Sequence, residues 1–126
     1  MDIREITSGL KMRNLYFSEC SVKRECKVEN GECNATLEKN IEKIEEHKYA
    51  VQLVLSVTKS DLLLNVVANA EFELMCEDMG MESDIINTNT VAIMFPFIRS
   101  QVTLLTSQPG MTPIVFPPIN TSKFTE

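Results

Sequence analysis

From Tyr49 onward the apolar residues fall on every second position: Tyr49, Val51, Leu53, Leu55 and Val57, with Ala50, Gln52, Val54 and Ser56 between them. Successive side chains of an extended chain point to opposite sides. Period two therefore predicts a strand with one fully apolar face. After a polar Lys59-Ser60-Asp61 turn the pattern resumes. Leu62, Leu64, Val66, Ala68, Ala70, Phe72 and Leu74 alternate with positions that include Asn65, Asn69, Glu71 and Glu73. That run is far longer than the ~5–6 residues of an ordinary strand. The short turn joins the two runs into an antiparallel hairpin.

The flanking segments are less regular. Met12 to Cys20 predicts a first strand with Leu15 and Phe17 on one side, and Ser21 to Glu32 a polar connecting loop. Cys33, Ala35 and Leu37 alternate with Asn34, Thr36 and Glu38, which fits a second strand. Over Glu38 to Lys48 a helical turn and a strand continuing into a hairpin both fit, because Ile41 and Ile44 are three apart. Residues 1–10 carry little pattern and read as a loose arm. Met75 to Ser83 is an acidic linker. Asn87, Thr88 and Asn89 offer capping side chains, so a helix is expected from about Thr90 to Ser107, stopped by Pro109-Gly110.

Along that helix Val91, Met94, Phe95, Ile98, Val102 and Leu105 form one stripe, while Ile93, Phe97 and Leu104 lie off it. A helix that is apolar on more than one side is buried on more than one side. Pro96 removes one backbone hydrogen bond, which predicts a bend. The stretch from Met111 to Ile119 is apolar but broken by three prolines, so it is expected to lie extended on the body rather than inside a sheet.

One helix covers one face of a small sheet, and apolar helix residues are then left facing outward. Such a patch on a small soluble chain marks association with other polypeptides. Composition narrows the partners. The chain has 18 acidic against 12 basic residues, a poor match to a nucleic-acid backbone. No apolar run reaches the ~20 residues of a membrane span, and the N-terminus lacks the basic and apolar regions of a secretion signal. A single cytoplasmic domain follows. Cys20, Cys26, Cys33 and Cys76 match no usual zinc or thioredoxin spacing and are expected as free thiols. The one histidine, His47, sits among Glu45, Glu46 and Lys48 and reads as a solvated surface residue. The scattered glycines build no phosphate loop, and no metal-ligand or catalytic constellation is visible, so neither a cofactor nor an enzyme is expected.

Three stretches carry a resemblance: Thr90-Val91-Ala92-Ile93-Met94-Phe95-Pro96-Phe97-Ile98-Arg99, then Gly110-Met111-Thr112-Pro113, then Pro118-Ile119-Asn120. In order and spacing they resemble the SecB family of bacterial protein-export chaperones. Cys33 to Val57 lines up without a gap against that family's second and third strands, and Leu62 to Phe72 with its fourth. The resemblance implies an α+β fold, a four-stranded antiparallel sheet packed against one long C-terminal helix. It implies an ATP-independent holdase that binds unfolded polypeptides in apolar grooves, as a dimer or a tetramer built from two dimers. By the resemblance the client groove is lined by Cys33, Ala35, Leu37, Leu62, Leu64 and Val66. The helix stripe Val91, Met94, Phe95, Ile98, Val102 and Leu105 supplies the oligomer interface. Uncharged Asn14, Ser18 and Asn65 stand where members that dock on the Sec motor ATPase carry acids, and the sequence ends without that family's second helix and acidic tail. Both departures argue against docking on the motor. They favour the alternative of a dedicated chaperone for one client, such as an antitoxin. A carrier of small apolar ligands is a third reading, without the convergent polar groups such a site needs.

Overall fold

The computed structural model describes residues 10–24, 33–59, 62–75 and 82–116. Four strands, β1 (Leu10–Arg24), β2 (Cys33–Glu45), β3 (Lys48–Lys59) and β4 (Leu62–Leu74), are followed by one helix, α1 (Glu82–Leu105). The strands form a single antiparallel sheet in the order β1-β4-β3-β2. The two strands with the strictest alternation occupy the centre. An inner strand can bury one whole face, and that face must then be apolar without exception.

The helix packs across the inner face. Val51, Leu53, Leu55 and Val57 of β3 and Leu64, Val66, Ala68, Ala70 and Phe72 of β4 meet Val91, Met94, Phe95, Ile98 and Val102 of α1 in one buried cluster. Leu10, Met12, Leu15, Phe17 and Val22 of β1 pack against its margin. The outer face is polar at its middle. A ladder of side chains crosses all four strands there, Asn40 donating to Gln52 (3.2 Å), Gln52 to Asn69 (3.1 Å) and Asn69 to Ser18 (2.8 Å).

Two segments differ from expectation, and a third resolves an open choice. β1 runs on to Arg24, because Cys20 to Arg24 pair with Val66 to Leu62 in place of looping away. Between Glu38 and Lys48 the strand alternative holds. β2 continues to Glu45 and turns at Glu46 and His47 into β3. Helix α1 begins at Glu82, a full two turns before the predicted start. Asn87 does not cap it; its amide donates back to the carbonyl of Ser83 (2.8 Å), and Thr90 bonds back to Ile86 in the same way. Glu82 and Asp84 place acidic charge in the first turn, where the helix dipole favours it.

The helix passes through Pro96, which sits on its exposed side. The carbonyl that Pro96 leaves unbonded belongs to Ala92, also exposed, so the core loses nothing. Beyond the helix, Gly110 adopts φ +79°, which lets the chain reverse, and its carbonyl accepts from the guanidinium of Arg24 (2.8 Å). Residues 111–116 then run back along α1. Ile114 is buried, its N–H donates to the buried Thr106 Oγ1 (2.8 Å), and its carbonyl accepts from Thr103 Oγ1 (3.0 Å). Phe116 meets Phe95 with ring centroids 6.4 Å apart.

Candidate interaction surfaces

Two apolar surfaces remain open, one beside β2 and one on the outward side of α1. The first is a ledge beside β2. Helix α1 packs over β4, β1 and β3, so the inner side of β2 is only partly covered. On this strand Ala35 is exposed, and Leu37 and Ile41 are half-buried at the core margin. Lys39 stands between them, and its Nζ donates to the carbonyl of Asn87 on the helix (3.2 Å). Desolvation in that position pulls the ammonium below its ordinary range.

The second surface is the outward side of α1. Phe97 is 45% exposed and Leu104 62%, and Ile93 is half-buried on the same side. Ile93, Phe97, Ser100 and Leu104 are spaced four, three and four residues apart, which forms a continuous seam along a helix.

This geometry corrects the expected division of the helix. Val91, Met94, Phe95, Ile98 and Val102 are buried against the chain's own sheet, and Leu105 packs at the edge of that core. They cannot form an interface with another copy while they hold the sheet. The reason is numerical: the stripe with more apolar residues buries more area, so it faces the larger apolar surface, which is the sheet. Of the residues off that stripe, Phe97 and Leu104 face outward, while Ile93 is half-buried and packs at the margin of the core.

The expected groove residues also divide. Ala35 and Leu37 lie on the ledge. Leu62 is half-buried at the start of β4. Leu64 and Val66 have no exposed surface, so they are core beneath the helix and not the wall of an open groove. Cys33 begins β2 opposite Lys59, and its side chain lies outside the described residues, as do Cys26 and Cys76. Cys20 is a free thiol, exposed, with its pKa pushed up chiefly by partial burial.

His47 departs from its expected place in solvent. It holds the hairpin turn in the left-handed region at φ 64°, and its Nδ1 lies 2.7 Å from a Glu82 carboxylate oxygen. The other carboxylate oxygen accepts from the Tyr49 hydroxyl. Three groups thus clasp the start of α1 to the β2–β3 turn. The Tyr49 hydroxyl, and then His47, hold the Glu82 carboxyl below its ordinary range. Burial and the neighbouring Glu82 push the Tyr49 hydroxyl up to about 12. Beside the clasp a cavity of about 360 Å3 opens between β2 and the helix, lined by Ile41, Tyr49, Glu82, Ser83, Ile86 and Asn87. It continues the ledge toward the helix N-terminus. No sequence spacing marks this clasp, because His47 and Tyr49 meet Glu82 only across the fold.

The positions expected to face an export motor are on the outer sheet face and are engaged within it. Asn14 donates to Glu71 (2.7 Å), Ser18 accepts from Asn69, and Asn65 accepts from Ser56 (2.9 Å). Among the described residues no helix is long and apolar enough to cross a membrane, and no three His, Cys, Asp or Glu side chains gather as a metal site.

No family model matches the chain. Over 62 residues it is 32% identical to an uncharacterized protein of Methanocaldococcus jannaschii. That match takes in 49% of this chain and 40% of the relative, so the chain spans well under two thirds of the relative's length. A solved structure with the same fold is the SecB-like chaperone of Mycobacterium tuberculosis in complex with a ChAD peptide from the HigA1 antitoxin. Its TM-score is 0.72, covering 91% of this chain and 94% of that one, at 12% sequence identity. The likeness is one of fold: a four-stranded antiparallel sheet carrying one C-terminal helix.

Proposed function

We propose that this chain is an ATP-independent chaperone that holds non-native polypeptide segments on the β2 ledge and associates with further copies through the outward seam of α1. The observation that carries the proposal is the pair of apolar surfaces left open, one beside β2 and one on the outward side of α1. Ala35, Leu37 and Ile41 border a shelf that can shelter the apolar side chains of an extended client, and burying them is the driving force. The seam of Ile93, Phe97 and Leu104 suits a rigid helix-to-helix contact, giving a dimer or a tetramer made of two dimers. A cytoplasmic location and the absence of a cofactor belong to this reading.

Dedication to one client is the second reading. It is supported by the solved structure of the same fold, whose ligand is an antitoxin peptide, and by the neutral, internally bonded Asn14, Ser18 and Asn65. A role in protein export through the Sec motor ATPase has less support for the same reason.

The test is light scattering of a chemically unfolded protein diluted into buffer with and without excess chaperone and without nucleotide. Suppression of scattering by several unrelated clients supports the general holdase. Suppression for an antitoxin alone supports the dedicated form. Unchanged scattering for every client defeats both.

A further inference from the structure

We propose that the end of the inner sheet face, beside the Gly110 turn, is a binding site for a short aliphatic carboxylate, with Arg24 and Lys59 receiving the charged group. The register brings the two cations together. Arg24 of β1 and Lys59 of β3 are both paired with Leu62 of β4, one on each side of it. Residues directly opposed in an antiparallel sheet share a face. Leu62 lies two residues before the buried Leu64, and Arg24 two after Val22, which packs against the core. Lys59 follows the buried Val57 by two. All three therefore lie on the helix-bearing face, where the apolar rows of β1 and β3 end in charge. Arg24 and Lys59 stand two interstrand spacings apart, about 10 Å, so their long side chains can meet on one small anion.

Packing alone does not account for these charges. Like charges repel, and among the described residues no carboxylate lines the space that the two cations border. Arg24 has a structural part, since it donates to the Gly110 carbonyl (2.8 Å) and steadies the reversal after α1. That bond uses one of five guanidinium N–H donors and orients the group before a ligand arrives. Among the described residues no hydrogen bond ties the half-buried Lys59 to the same turn. The two cations open on a cavity of about 200 Å3 whose apolar walls are Leu62, Met111 and the buried Ile114. Three features define its ligand. The cations select an anion, the apolar walls select attached hydrocarbon, and a volume below the ~300–1,000 Å3 of ordinary ligand pockets selects a small molecule. Inorganic phosphate lacks the hydrocarbon; a short aliphatic acid has all three properties. Such a site would exist whether or not the β2 ledge holds clients.

The test is a methyl NMR titration of the full chain with hexanoate, hexanamide and inorganic phosphate. It is repeated on Lys59→Met, which keeps the length of the side chain and removes its charge, with the fold checked by circular dichroism. Hexanoate is expected to shift the methyls of Leu62, Met111 and Ile114 saturably. It should bind roughly tenfold more tightly than hexanamide or phosphate, the worth of one hydrogen bond to a charged group. Lys59→Met is expected to weaken hexanoate by a similar factor and to leave hexanamide unchanged. An acetylated peptide ending in leucine, as free acid and as amide, separates two sources of the carboxylate. Tighter binding of the free-acid peptide than of hexanoate makes a polypeptide chain end the ligand, and the reverse makes it a free acid; either supports the site. Equal binding of hexanoate and hexanamide, phosphate as tight as hexanoate, no shift at those methyls, or a hexanoate affinity unchanged in Lys59→Met overturns it. The comparison of hexanoate with hexanamide on the wild type decides even where the variant does not fold.

Discussion

Replacing Phe97 and Leu104 together by Ser separates the two sides of the helix. Complete burial of a Leu or Phe side chain is worth about 1.5–3 kcal/mol. Leu104 keeps 62% of its surface and Phe97 45% in the single chain, so an interface that covers both gains about 2–3 kcal/mol per copy, scaling that burial value by the open fraction. Two copies contribute about 5 kcal/mol, a change of roughly three to four powers of ten in the dissociation constant. Sedimentation velocity at micromolar concentration is then expected to show an oligomer for the wild type and a folded monomer for the double variant. The matched control is Val102→Ala on the inner side, which opens a void beneath the helix and lowers folding stability instead. A double variant that keeps the wild-type size refutes the assignment of the seam. So does a wild type that is already monomeric.

Other parts of the structure yield sharper local tests. Leu53 has no exposed surface, so Leu53→Ala is expected to cost about 2–5 kcal/mol in urea unfolding, through lost burial and a residual cavity. Thr106→Val preserves shape but leaves the Ile114 N–H without its acceptor. A loss of about 1–3 kcal/mol is expected, with faster proteolysis in the 111–116 segment. The clasp at the helix start has a defined pH window. Glu82 titrates lower in the folded chain than its ordinary 4.5, so its contribution is present above that value and lost as pH falls through the depressed one. Tyr49 is raised from 10 to about 12, so its contribution is full below 10 and lost as pH rises toward 12. Hydrogen exchange of the amides in the first turns of α1 should therefore be slowest, after correction for intrinsic rates, between those limits. Glu82→Gln should remove the acid limb, and an unchanged profile in that variant contradicts the clasp.

The central hairpin was legible in the sequence because β3 and β4 are inner strands, where one uniform face leaves no freedom in the pattern. β2 was ambiguous for the opposite reason. As an edge strand it is half covered, and its inner row accepts Lys39 and Lys43 alongside Ala35, Leu37 and Ile41, so Ile41 and Ile44 could equally mark a helical turn. The early start of α1 was hidden by Asn87, Thr88 and Asn89, residues that favour caps but can also bond back within a helix. Two apolar stripes on one helix were evident, yet which one met the sheet was settled by area across the whole fold. That exchange moved the proposed association surface from Val91, Met94, Phe95, Ile98, Val102 and Leu105 to Ile93, Phe97 and Leu104. The ledge needed the helix position as well, since Leu64 and Val66 read no differently from Leu37 along the chain.

A photo-crosslinking residue placed singly at Ala35 and at Leu104, in the presence of an unfolded client, tests the division of the molecule into a client side and a self-association side. Crosslinks to the client from position 35 and to a second copy from position 104 are the predicted result. Client crosslinks from position 104 with none from position 35 would contradict it.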